Sequence, residues 1–163
     1  MGVEIERKFL LAGDAWRREV CRVHEITQGY LAQAQRSSVR IRLQDDQANL
    51  NIKSAEAGAQ RLEYEYPLPP DQAREMLDRL CLPGRIAKRR HIVSRGDHVW
   101  EIDEFLEHNS GLVVAEIELA EPNEAFDRPA WLGPEVTDLH RYYNHALSHH
   151  PFADWTEADR RGP

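Results

Sequence analysis

The sequence predicts a mainly-β protein of the α+β class, with eight antiparallel strands and flanking helices. Three observations predict it. Apolar and polar residues alternate in eight short runs, at Val3–Leu11, His24–Leu31, Ser37–Leu43, Ala48–Lys53, Arg61–Leu68, Ile86–Ser94, His98–Phe105 and Leu112–Ala120. Turn residues punctuate them, as in Ala12-Gly13-Asp14, Gln44-Asp45-Asp46-Gln47, Arg95-Gly96-Asp97 and His108-Asn109-Ser110-Gly111. One stretch has helical spacing instead: Pro69-Pro70-Asp71 opens it, Ala73, Met76, Leu77 and Leu80 share a face, and Pro83-Gly84 closes it. Eight such strands either close into a barrel or form an open antiparallel sheet under a helical layer.

The first strand shows what distinguishes this alternation. Glu4, Glu6 and Lys8 share one face, while Val3, Ile5, Phe9 and Leu11 share the other, with Arg7 the exception on the apolar face. Same-phase charges recur as Arg40/Arg42, Lys53, Glu63/Glu65, Lys88/Arg90, Glu101/Asp103 and Glu116/Glu118. The Lys88/Arg90 strand is less regular, because Arg89 and His91 occupy its other face. For any one strand, a solvated face or a cross-strand salt bridge accounts for such a pattern. Its repetition in nearly every strand points to charges that line a common wet interior.

After the first strand, Trp16, Val20 and Val23 belong to a short helical or irregular segment covering apolar surface. Beyond the eighth strand, a short helix is expected near Asn123–Phe126 and another from Arg141 to His149. His145 and His149 lie one turn apart on that helix and read as surface histidines, since no third ligand accompanies them.

With 163 residues and 41% hydrophobic content, the chain reads as one domain over 1–155 with a frayed tail over 156–163. A net charge of −7 argues against a nucleic-acid surface. Two cysteines, Cys21 and Cys81, make neither a disulfide framework nor a zinc site. No apolar targeting segment or membrane-spanning run is visible, so the expectation is a soluble, reduced, cytoplasmic protein with no membrane or nucleic-acid partner. Nothing in the sequence bears on the oligomeric state.

The chemistry follows from the mixture of signs. There is no phosphate-cradling glycine loop ending in Lys-Ser or Lys-Thr, no nucleophile elbow, and no Cys/His pair. Arginine forks and lysine ammoniums bind phosphate oxygens, which carboxylates repel unless a divalent metal stands between them. Carboxylate oxygens select a hard ion, Mg²⁺ or Mn²⁺. Acids and bases in one lumen therefore suggest a polyphosphate chain held by cations on one side and by metal on the other, where phosphoryl transfer needs positioning and charge neutralisation.

The same segments, in order, resemble the CYTH superfamily, the triphosphate tunnel metalloenzymes. They are Glu4-x-Glu6-x-Lys8, Gln28-Gly29-Tyr30-Leu31, Val39-Arg40-Ile41-Arg42, Leu50-Asn51-Ile52-Lys53, Lys88-Arg89-Arg90, Trp100-Glu101-Ile102-Asp103-Glu104-Phe105 and Ala115-Glu116-Ile117-Glu118-Leu119. The match runs from Val3 to about Tyr143. The resemblance implies a closed eight-stranded tunnel with a charged interior. It also implies metal-dependent hydrolysis of inorganic tripolyphosphate to pyrophosphate and phosphate by a metal-activated water. On it, Glu4, Glu6, Asp103, Glu116 and Glu118 form the metal side, and Lys8, Arg40, Arg42, Lys53, Lys88 and Arg90 bind triphosphate. Glu63 and Glu65 are second-site metal ligands or hold the arginines in place, and Glu4, Glu6, Lys8 and Glu118 make up the catalytic set. Class IV adenylyl cyclases and thiamine triphosphatases share the family, and a non-catalytic polyphosphate-binding module would share the tunnel. Tyr30, Tyr64 and Trp100 are the aromatic candidates for a nucleoside pocket.

Overall fold

The structure, a computed structural model, describes residues 2–55 and 59–163. The eight expected strands form as β1 (Gly2–Leu11), β2 (Arg22–Gln33), β3 (Ser37–Gln44), β4 (Gln47–Ser54), β5 (Gln60–Leu68), β6 (Ile86–Arg95), β7 (His98–Phe105) and β8 (Val113–Glu118). They hydrogen-bond in the order β5-β4-β3-β2-β6-β7-β8-β1, and β1 pairs back to β5, so the ring closes. Each of these pairings is antiparallel. Closure removes the unpaired edges that an open sheet would expose. Two-residue loops make the tightest hairpins, with Asp45 at φ 50° between β3 and β4 and Gly96 at φ 58° between β6 and β7.

A ninth strand, β9 (Leu132–Glu135), was not legible in the sequence. Its Leu-Gly-Pro-Glu has no alternation and contains a proline that cannot donate to a ladder. It pairs with Phe9 and Leu11 of β1, while Phe9 also faces Ala115 of β8, so β9 lies along the edge that β5 occupies earlier in β1. The misfit Arg7 is accounted for by this strand. Its guanidinium forks onto Glu135, Nε to Oε1 at 2.7 Å and Nη2 to Oε2 at 2.5 Å, and lies 5.1 Å from the Phe126 ring centre.

The apolar faces point outward, beneath a shell of helices and loops. Helix α1 (Pro70–Arg79) forms where expected, and its Ala73 and Leu77 pack on Ile41 and Ala48 of β3 and β4. Trp16, in a 3-10 turn over Ala15–Glu19, joins Phe9, Trp100, Ile102, Ile117 and Trp131 in a second cluster. The third lies under the C-terminal segments, where Ile86, Phe105 and Val114 meet Tyr142, Leu147 and Trp155. Among the described residues no helix is long and apolar enough to cross a membrane.

Three expectations need correction. Residues 123–126 form no helix; Glu124 instead accepts the Ala120 amide and bonds the His98 ring at 2.8 Å, and Phe126 packs its ring edge-on against Phe9 and Trp100. The helix expected over Arg141–His149 breaks into a 3-10 turn (His140–Tyr142) and α2 (Asn144–His149). The break is Tyr143, extended at φ −78°, ψ 143°, with its hydroxyl donating to the Thr137 carbonyl at 2.6 Å. The tail expected to fray contains a helical turn, α3 (Glu157–Arg160). Thr156 caps it by accepting the Asp159 amide at 3.2 Å, and Asp159 is tied to Arg141 at 3.1 Å.

One glycine between α1 and β6 is required by space as well as conformation. Gly84 has φ +100°, and a Cβ built on it would lie 2.0 Å from the Ser148 carbonyl oxygen at the end of α2. Gly84→Ala should therefore destabilise the protein by about 2 kcal/mol or more, because backbone must move to admit the methyl group. Urea unfolding of the two chains, compared by midpoint, measures this directly.

Candidate active site

Inside the ring, the alternation delivers charged side chains from seven of the eight barrel strands into one cavity of about 610 Å³. Glu4, Glu6 and Lys8 enter from β1, Arg40 and Arg42 from β3, Lys53 from β4, and Arg61, Glu63 and Glu65 from β5. Arg90 enters from β6, Glu101 from β7, and Glu116 and Glu118 from β8. β2 contributes Tyr30, and the C-terminal segment adds His140, Tyr143, Asn144 and His145. The ordinary soluble barrel is thus inverted, with charge inside and apolar residues outside.

Two residues of the expected site share the inward phase without lining this cavity. Lys88 and Asp103 are completely buried, with Lys88 Nζ 2.5 Å from Asp103 Oδ2 and 3.1 Å from Asn144 Oδ1. Arg90 forks onto the same carboxylate at 2.7 and 2.8 Å. Burial, only partly opposed by Asp103 and reinforced by Arg90, lowers the Lys88 pKa to about 7. Asp103 still sits below its ordinary value, because Arg90 and Lys88 together outweigh its burial. The arrangement is a sealed anchor for Arg90 as it stands, one layer behind the wall.

The remaining carboxylates mostly have a cation on them. Lys8 Nζ lies 2.7 Å from Glu6 and 2.5 Å from Glu116. Its burial would lower its pKa, but Glu116 and Glu6 raise it, so it remains an ammonium. Glu116 is held well below the usual carboxylate range against its burial by Lys8, Arg90 and Lys88. Lys53 bonds both oxygens of Glu4, at 2.9 and 3.0 Å, and reaches Glu63 at 3.4 Å. Glu65 accepts from Asn51 at 2.8 Å and Asn49 at 2.9 Å, and Glu101 pairs with Arg90.

Arg40 and Arg42 lack this compensation. Arg40 is buried, and its Nε and Nη2 have no hydrogen-bond partner among the described residues. Arg42 gives its Nε to Gln28 at 3.3 Å, and burial followed by repulsion from Arg40 and Arg90 lowers its pKa to about 10. An unpaired buried donor costs roughly 1–3 kcal/mol. Guanidinium donors converging in a cavity without matching acceptors are suited to an anion rich in oxygens.

Glu118 is their counterpart of opposite sign. Among the described residues no Lys or Arg pairs with it. Partial burial and the charges of Glu4, Glu101, Glu6 and Glu63 push its pKa up. Among the described residues no three His, Cys, Asp or Glu side chains converge closely enough to hold a metal ion as they stand. The donor set nevertheless fits a hard divalent cation: only carboxylate oxygens, with Glu65 and Glu118 lacking a Lys or Arg partner among the described residues and the others held in contacts that a cation could replace.

A profile of the CYTH domain matches residues 2–148. The chain belongs to the CYTH domain family. The CYTH chain is 41% identical over 157 residues to an inorganic triphosphatase of Acetivibrio thermocellus, covering 96% of this chain and 100% of that protein. It is 36% identical over 149 residues to an inorganic triphosphatase of Nitrosomonas europaea, covering 89% and 96%. Among solved structures, that of the inorganic triphosphatase NE1496 aligns with a TM-score of 0.64 at 31% identity, covering 91% of this chain and 95% of that one.

Sequence reasoning did not single out Arg61, Tyr143 or Asn144. Arg61 was legible, since it shares its face with Glu63 and Glu65 and stands opposite Glu4 in the β1–β5 register. Tyr143 and Asn144 carry no such signal, because they enter the CYTH barrel from the start of α2, distant in sequence from the strands. The Tyr143 ring lies 5.0 Å from Lys8 Nζ and 5.1 Å from the Arg61 guanidinium, and Asn144 accepts from both Gln28 and Lys88.

A stability test follows from Glu118. A carboxylate whose folded pKa is raised loses its proton first in the unfolded state, so its contribution falls as pH rises from about 4.5 through the folded value and stays unfavourable above it. Glu118 is exposed to solvent, which screens the repulsion, so Glu118→Gln should melt slightly above the parent chain at pH 7 without metal, and lose that advantage at pH 4. Scanning calorimetry in a chelating buffer at the two pH values checks both expectations.

Proposed function

We propose that this CYTH chain is a metal-dependent inorganic triphosphatase, cytoplasmic, which hydrolyses inorganic tripolyphosphate to pyrophosphate and phosphate. The observation that carries the reading is the pairing of opposites across one cavity. Among the described residues, Arg40 and Arg42 present guanidinium donors without full partners, and Glu118 presents a carboxylate with no Lys or Arg on it. Identity of 41% over nearly the whole chain to a protein named inorganic triphosphatase supports the same substrate class.

In this reading Arg40, Arg42, Lys53 and Arg90 grip the non-bridging oxygens and fix the phosphate chain along the tunnel. Lys8, kept charged by Glu6 and Glu116, adds a fixed positive charge in the wall. Glu4, Glu6, Glu116 and Glu118, with Glu63 and Glu65 as a further set, would hold Mg²⁺ or Mn²⁺. Such an ion supplies neutralisation of phosphate charge and acidification of water. Asp103 acts behind them by holding Arg90, and Lys88 by completing that buried network. The β-barrel wall and the C-terminal cover limit bulk water around the chain of phosphates.

Nucleoside substrates have less support. Trp100 is 1% exposed in the outer core against Trp131, and Tyr64 does not line the cavity, which leaves Tyr30 of the three aromatic candidates. Tripolyphosphate should therefore be cleaved with a specificity constant at least tenfold above that for ATP. A panel of tripolyphosphate, ATP and thiamine triphosphate with Mg²⁺ or Mn²⁺, scored for phosphate, pyrophosphate and cyclic AMP, tests this. Cyclic AMP as the main product from ATP at a comparable rate would replace the reading with a cyclase, and no turnover would leave a binding module.

Substitution separates the two walls. Glu4→Gln and Glu6→Gln should each lower turnover by about two orders of magnitude or more, since each removes a hard ligand. Arg40→Ala and Arg42→Ala should raise KM and lower kcat together, because the grip is present in both ground and transition states. Unchanged steady-state constants in both arginine variants would remove these residues from the substrate site.

A further inference from the structure

Among the described residues, Arg61 is a cavity residue whose ion-pair partners belong to the expected metal side and whose own role nothing above assigns. It stands directly opposite Glu4 in the β1–β5 register, is 9% exposed, and sends Nη2 to both Glu4 Oε2 at 3.3 Å and Glu6 Oε1 at 3.4 Å. One nitrogen thus bridges two carboxylates. The other cations on this pair are committed elsewhere: Lys8 also holds Glu116 at 2.5 Å, and Lys53 reaches Glu63 at 3.4 Å. Their contacts to Glu6 and Glu4 are 2.7 and 2.9 Å, so Arg61 makes the longest and weakest hydrogen bonds of the three. Its guanidinium has a second resting surface in the Tyr143 ring, 5.1 Å away.

We infer that Arg61 is an internal counter-ion that occupies the Glu4–Glu6 carboxylate pair in the metal-free protein and must yield it when a divalent cation binds. Arg61 therefore sets the metal affinity. This rests on the proposed assignment of Glu4 and Glu6 to metal. The physical argument is electrostatic. Two carboxylates sharing a wall repel unless neutralised, and when no metal is present the guanidinium adds to the neutralisation that Lys8 and Lys53 give, bridging the pair where each lysine holds one member. A divalent ion entering the pair must break both contacts and then meet a positive charge nearby. Removing the guanidinium should lower the stability of the metal-free chain and at the same time tighten metal binding. A residue that merely braces the barrel wall would lower stability without tightening anything.

The test is isothermal titration of MnCl₂ into the metal-free full chain, as the parent protein, Arg61→Met and Arg61→Lys, without phosphate. Arg61→Met should bind Mn²⁺ at least tenfold more tightly than the parent, while melting lower in the absence of metal. Arg61→Lys, which keeps the charge, should remain within about threefold of the parent. Should Arg61→Met fail to fold, ¹⁵N-arginine labelling of the parent replaces it: the Arg61 Nε–H resonance, assigned by its loss in Arg61→Lys, should shift with Mg²⁺ and saturate with the constant that calorimetric titration of MgCl₂ into the parent gives. Equal or weaker Mn²⁺ binding by Arg61→Met, or an Arg61 signal indifferent to saturating Mg²⁺, overturns the counter-ion role and leaves the triphosphatase reading standing. Absence of Mn²⁺ binding in the parent and Arg61→Met alike overturns both this role and the metal assignment.

Discussion

Charge compensation inside a closed ring of strands is the constraint on which this molecule depends. Alternation along each strand sends every second side chain inward, and here those side chains are Glu, Lys, Arg and Asp. Closure then brings them into one enclosed space, where neither water nor distance screens them as it would on a surface. Some of the resulting contacts follow the strand register, with Glu4 opposite Arg61, Lys8 opposite Glu116, Arg90 opposite Asp103, and Lys53 opposite Glu63, and the rest cross it. The barrel is held from within by ion pairs that a ligand-binding site must be able to rearrange.

Compensation is uneven, and the unevenness has a direction. Arg90, Lys88 and Asp103 form a sealed set in which the bidentate fork and the buried ammonium satisfy one carboxylate. Arg40 and Arg42 on β3 retain unspent donor capacity, and Glu118 on β8 retains unspent negative charge. The buried Arg40 donors without partners among the described residues cost stability, while the more exposed Glu118 is left among like charges. An oxygen-rich anion on one wall and a hard cation on the other would satisfy both deficits together.

The outer shell contributes more than cover. α1 and the two larger apolar clusters bury the outward faces, which permits the inward faces to be polar. The C-terminal segment also enters the site. Thr137 accepts the Lys8 amide at 3.0 Å, Tyr143 sets its ring beside Lys8 and Arg61, and Asn144 bridges Gln28 and Lys88. The break in the predicted helix at Tyr143 serves this contact, since an extended residue there can direct its ring inward while Tyr142 and Leu147 remain in the apolar layer.

By itself the sequence determined the eight strands, α1, the phase of the charged face and therefore almost every charge in the cavity, because these depend on period-two alternation and on local turn chemistry. It did not reveal β9, whose four residues become a strand only because β1 offers them an edge and Arg7 offers Glu135 a partner. Nor could phase separate residues that face the cavity from Lys88 and Asp103, which point the same way but are sealed behind it. That distinction is set by the shear and closure of the barrel and by Asn144 arriving from far along the chain. Which carboxylates hold a lysine or arginine, and which are left without one among the described residues, was likewise decided by tertiary structure alone, because pairing inside the barrel depends on cross-strand distances that no single strand encodes.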